Sequence, residues 1–132
     1  MTNKIRYRHL TEDQKNIICN GCGGKGGLVK PPHRTFFKKE CNHHDFNYFL
    51  GHTEDHRAKA DLQLLMAMKK KVQNNPITEL RSELHWSVRY VAPDFVVRKI
   101  MLRWCWAYYM AVRVGGHSFF YYGDKEQNLP TM

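Results

Sequence analysis

Residues 35–72 read TFFKKECNHHDFNYFLGHTEDHRAKADLQLLMAMKKKV, and the reading of this stretch decides the fold. Its spacing predicts two helices joined by a short turn. The first runs from about Thr35 to Leu50 and stops at Gly51, a residue suited to a C-terminal cap. The second opens after Thr53, carries Glu54 and Asp55 in its first turn and Lys69, Lys70 and Lys71 in its last, the order a helix dipole favours. On the first helix, Cys41, His44, Asp45 and Tyr48 share one face, with Phe37 a turn ahead of Cys41. On the second, Ala58, Leu65, Met68 and Val72 form a core-facing stripe, and Asp61 lies on that stripe. A carboxylate there is costly without a partner. Antiparallel packing brings His44 to Asp61, and such a pair fixes the imidazole tautomer and stabilises the imidazolium, as a general base requires.

Ahead of the helix pair lies Cys19-Asn-Gly21-Cys22-Gly23-Gly24-Lys25-Gly26-Gly27. Glycine at that density predicts an irregular backbone. Carbonyls freed from helix and sheet are good calcium ligands, and Asp45 beside His44 adds a hard carboxylate oxygen. Upstream, Thr11 and Gln14 have the pattern of a capping box opening a short helix through about Ile18. Downstream, Asn75 and Pro76 predict a third helix with Ile77, Leu80, Leu84, Val88 and Val91 on one side. A fourth follows Pro93, with Val97, Ile100, Met101, Trp104, Cys105, Tyr108, Ala111 and Val112, and ends at Gly115-Gly116. The aromatic tail from His117 to Tyr122 adds an extended piece to this all-α expectation.

A chain of 132 residues suits one domain, here residues 1–132, with a real hydrophobic core. The formal charge of +9 attracts polyanions, either nucleic acid or an anionic membrane. Arg89, Asp94, Arg98, Lys99, Arg103 and Arg113 interrupt the most apolar stretch, so it lacks the roughly 20 apolar residues of a bilayer span. Met1 to Leu10 contain no apolar leader region. The four cysteines, Cys19, Cys22, Cys41 and Cys105, permit two disulfides or a zinc site.

These residues resemble secreted phospholipase A2, in style closest to its microbial members with few disulfides. That family pairs a C-G-x-G-G calcium loop with a C-x-x-H-D helix, usually followed by Tyr, and an Asp on the next helix. Here Cys41-Asn-His-His44-Asp45 matches without a gap, Tyr48 falls where the pattern has its tyrosine, and Asp61 stands for the second-helix aspartate. Gly21 to Gly27 resembles the loop with one residue more than the pattern. The likeness covers about residues 17–72. It implies an all-α phospholipase A2-like domain with two antiparallel core helices and a glycine-rich calcium loop. It also implies Ca2+-dependent hydrolysis of the sn-2 ester of glycerophospholipids. His44 is then the base, Asp61 and Tyr48 align it, and the Gly23 N–H helps hold the oxyanion. Asp45 and the carbonyls of Gly21, Gly23 and either Lys25 or Gly26 would hold calcium. The family disulfide implies Cys22–Cys41, leaving Cys19 and Cys105 to pair or remain thiols.

The implied partner is phospholipid at an anionic membrane surface, met by Lys25, Lys30, Arg34, Phe36, Lys38 and Lys39. No obligate protein partner is evident, and calcium with a disulfide points to a secreted or otherwise extracytoplasmic setting, against the missing leader. A rival reading uses the same residues. Cys19, Cys22, Cys41 and His44 have legitimate spacing for structural zinc, and +9 suits a nucleic-acid-binding module. That reading leaves Asp61, Tyr48 and the long glycine run without a purpose.

Overall fold

The computed structural model describes residues 6–19 and 31–129, which are helical with no strand. In chain order the helices are α1 (Glu12–Ile18), α2 (Lys38–Leu50), α3 (Glu54–Asn74), α4 (Ile77–Ser82), α5 (Trp86–Arg89) and α6 (Asp94–Gly115). Single 3-10 turns occupy Tyr7–His9 and Gly116–Ser118.

α1 starts as its capping box dictates: the Gln14 amide donates to Thr11 Oγ1 at 3.1 Å and the Thr11 amide to Gln14 Oε1 at 3.0 Å. Ile18, together with Leu10, packs on Phe46 and Leu50 of α2. α2 begins at Lys38, later than the expected Thr35. The chain bends at His33, whose φ is +64°, and the intervening turns lower Phe37 wholly into the core. His33 is fixed there by Glu83 at 3.0 Å and by an edge contact with Trp104. Periodicity alone does not register such a bend. α2 ends at Gly51, with φ +63°, where a Cβ would collide with the Tyr121 carbonyl.

α3 is capped by Thr53, whose hydroxyl accepts from the His56 amide at 3.3 Å. It is the central helix, with α2 antiparallel on one side and α6 antiparallel on the other. Asn47 meets Gln63 at 3.0 Å and Glu40 meets Lys71 at 3.5 Å across the first pair. Across the second, Arg98 near the start of α6 donates to Val72 O at 2.9 Å and Asn75 O at 3.2 Å, satisfying carbonyls at the end of α3. Arg57 in the first turn of α3 returns the arrangement, donating to Val112 O at 3.1 Å. Phe37, Leu64, Leu65, Met68, Val72, Leu80, Val97 and Met101 fill the core between these helices. Full burial of one such side chain stabilises by about 1.5–3 kcal/mol.

Further expectations are corrected. Ala58 is exposed, because the buried side of α3 is turned toward Arg57, Ala60, Asp61 and Leu64. The third helix does not reach Val91: it divides into α4 and α5, and Val88 and Val91 face solvent. Arginines hold the break. Arg89 donates to Leu84 O at 3.1 Å, and Arg81 to Arg89 O at 2.7 Å. The aromatic tail forms no strand, yet brackets the α2–α3 turn: Tyr121 donates to Tyr48 O at 3.2 Å and His52 to Tyr121 O at 2.8 Å.

Candidate functional site

His44 and Asp61 meet where α2 crosses α3. The stretch around His44 is helical to Leu50, so the ring is carried on a regular backbone, and both side chains are buried. His44 Nε2 lies 2.8 Å from Asp61 Oδ1. The Tyr48 hydroxyl donates to the same oxygen at 2.5 Å. The second oxygen, Oδ2, accepts from Arg113 Nη1 at 2.7 Å and lies 3.5 Å from Arg57 Nη1. Burial alone would push the Asp61 carboxyl up. The hydrogen bonds from His44, Tyr48 and Arg113 outweigh it and hold the group below the usual carboxylate range.

An ionised carboxylate only accepts hydrogen bonds, so the proton in the 2.8 Å contact belongs to His44 Nε2. In the neutral ring Nδ1 then carries the lone pair. It forms no hydrogen bond with the described residues, and the ring leans on Tyr48 with centroids 4.1 Å apart. That neutral tautomer is the one a general base needs.

Tyr48 is fixed by three neighbours. Phe120 meets it edge-on at 5.2 Å, Asp61 accepts a hydrogen bond from its hydroxyl, and the Gly116 backbone passes where any Cβ would strike that hydroxyl. Burial, then the bond to Asp61, raises the phenol above its ordinary value, so it stays a donor.

Sequence spacing did not reveal the two arginines. Arg57 carried a readable signal, since it stands one turn before Asp61 on α3. Arg113 carried none, for it comes from the last turn of α6. Both also reach Glu54, which accepts from Arg57 Nε at 3.0 Å and from the Tyr122 hydroxyl at 2.6 Å and lies 3.5 Å from Arg113 Nη2. Those bonds, Arg57 first, draw the Glu54 carboxyl down to about 2.

Asp45 is half-buried, next to His44 on α2. Gly21, Cys22, Gly23, Lys25, Gly26 and Lys30 lie outside the described residues. No three His, Cys, Asp or Glu side chains gather to hold a metal among the described residues. A calcium shell of one carboxylate completed by backbone carbonyls and water needs no such gathering, and Asp45 is the right kind of donor for it. A zinc site needs one. Cys19, Cys41 and His44 do not form it, Cys41 is in a disulfide, and His44 Nε2 is engaged by Asp61, which weighs against the zinc arrangement. Cys19 and Cys105 are free thiols. Burial raises them to about 11 and about 12, and Cys19 donates to Asn42 O at 3.3 Å, tying the end of α1 to α2.

Of the expected membrane-facing residues, Arg34, Lys38 and Lys39 are exposed. Phe36 is half-buried, edge-on to Phe37, with Lys71 Nζ 4.8 Å above its ring. No described helix is long and apolar enough to cross a membrane. Compared with family models, with curated proteins and with solved structures, the chain has no significant match.

Proposed function

We propose that this chain is a calcium-dependent hydrolase of the phospholipase A2 type, acting on the sn-2 ester of glycerophospholipids. The observation that carries the reading is the buried His44–Asp61 contact of 2.8 Å, with Tyr48 on the same carboxylate oxygen and Asp45 adjoining His44 on α2. The resemblance in Cys41, His44, Asp45, Tyr48 and Asp61 supports the choice of reaction.

In this reading His44 Nδ1 accepts a proton from water, directly or through a second water, as that water attacks the ester carbonyl. The imidazolium that forms is stabilised by Asp61 and returns its proton to the departing alkoxide. Tyr48 and Arg113 keep Asp61 from rotating, so the Nε2 contact survives the change of charge. Calcium, held by Asp45 with the carbonyls of Gly21, Gly23 and Lys25 or Gly26, would polarise the ester carbonyl, and each preorganised oxyanion donor is worth on the order of 3 kcal/mol. Exposed Arg34, Lys38 and Lys39 suit an anionic membrane surface.

The test is release of sn-2 fatty acid from mixed anionic and zwitterionic vesicles, with calcium and with excess chelator, beside His44→Gln. Calcium-dependent release that vanishes in the variant supports the reading. Absence of release under every condition overturns it.

A further inference from the structure

α5 is a single turn with no buried residue. Around it, Trp86, Tyr90, Val91 and Phe95 are 73%, 81%, 80% and 72% exposed. Apolar surface so concentrated on one short segment marks a contact site.

The backbone beneath these side chains is stapled. Arg89 Nη2 donates to Leu84 O at 3.1 Å and to Ser82 O at 3.3 Å. Arg81 reaches Arg89 O and the Asp94 carboxylate, each at 2.7 Å. The rings are therefore held outward on a fixed frame, which lowers the ordering cost of docking.

Charge indicates what they meet. Glu83 is occupied by His33 at 3.0 Å and Asp94 by Arg81 at 2.7 Å. Helical spacing carries the outward stripe of α6 from Phe95 to Lys99 and Arg103, both exposed and without an ion pair among the described residues. An apolar tip rimmed by cations complements an anionic lipid surface. Trp and Tyr favour the headgroup level, Val and Phe the acyl boundary.

We propose that Trp86–Phe95 is the segment on which the protein seats itself in an anionic bilayer, rather than the aromatic pair at Phe36–Phe37. The choice of lipid over a protein partner rests on the hydrolase reading.

Tyr90→Asp with Val91→Asp tests it, since both side chains are exposed and neither is near the His44 site. Co-sedimentation with vesicles of phosphatidylcholine and phosphatidylglycerol is compared between the native chain and this variant. Hydrolysis of a short-chain phospholipid below its micelle concentration is read in parallel. The expected result is vesicle binding reduced about ten-fold or more, with hydrolysis of the dispersed substrate unchanged. Native-like vesicle binding by the variant overturns the proposal, as does loss of self-association without loss of vesicle binding, which would assign the segment to a second copy. Native chain that seats through these residues but hydrolyses nothing leaves the surface standing and removes the hydrolase reading. Vesicle hydrolysis that the variant retains in full does the reverse.

Discussion

Arg113 Nη1 lies 2.7 Å from Asp61 Oδ2, while His44 Nε2 lies 2.8 Å from Oδ1 of the same carboxylate. The two oxygens thus have separate partners: Oδ2 is anchored by a permanent cation, while Oδ1 meets the imidazole and the Tyr48 hydroxyl. Arg57, 3.5 Å from Oδ2, adds a second cation on the anchored side. The carboxylate cannot turn without breaking the Arg113 bond, and a fixed carboxylate keeps the imidazole plane fixed.

Arg113→Gln should destabilise the protein by about 1–3 kcal/mol at neutral pH, less than for a wholly buried pair because Arg57 remains. Urea unfolding measures this, and Arg113→Lys should recover part of the loss.

The same variant should move acid unfolding to higher pH. The folded-state pKa of Asp61 is depressed, so its stabilisation is complete above the unfolded value of about 3.9 and disappears as pH falls through the lower folded value. Removing Arg113 raises the folded value and narrows the gap. An acid midpoint unchanged in Arg113→Gln would show that the cation does not hold the carboxylate ionised.

His44→Gln should abolish turnover with little change in melting temperature, because the amide can still donate to Asp61. Asp61→Asn should lower kcat by up to about 10⁴-fold, since an amide can favour the wrong imidazole tautomer. The imidazole NMR shifts of His44 report that tautomer directly.

Tyr48→Phe retains the ring contact with Phe120 and removes one donor to Asp61, at an expected cost of about 1–2 kcal/mol. Gly116→Ala should cost at least as much, because the added methyl displaces the Tyr48 hydroxyl. Thermal unfolding of both, alone and combined, should reveal less than additive losses.

Asp45→Asn should raise the calcium concentration needed for half-maximal activity at least ten-fold. Isothermal titration with calcium checks the same point without turnover, and unaltered affinity would remove Asp45 from the ion.

The helix pair was legible in the sequence because its information is local. Thr53, Glu54 and the lysines at 69–71 define α3, and the three- and four-residue spacings place His44, Tyr48 and Asp61 on facing sides. Less was legible where long-range contacts override local pattern. Val88 and Val91 continue an apolar helical rhythm, yet Arg81 and Arg89 satisfy carbonyls at the break and leave both valines in solvent. The start of α2 was hidden for a similar reason, since His33 bends the chain through partners on α6 and the segment after α4. Arg113 was invisible because nothing within a few residues of it refers to Asp61.

That difference in sequence separation sets an order of assembly. His44 and Asp61 are 17 residues apart, Arg113 and Asp61 52. Contacts of short sequence separation cost less to close, so an α2–α3 hairpin can hold Asp61 against His44, Tyr48 and Arg57 before Arg113 arrives from α6. Until α6 docks, Oδ2 lacks its 2.7 Å bond from Arg113, and the carboxylate that orients His44 is held less firmly. On the proposed hydrolase reading, a partly folded chain carries the histidine and its aspartate without the full anchor, so turnover would report that the last long helix is in place.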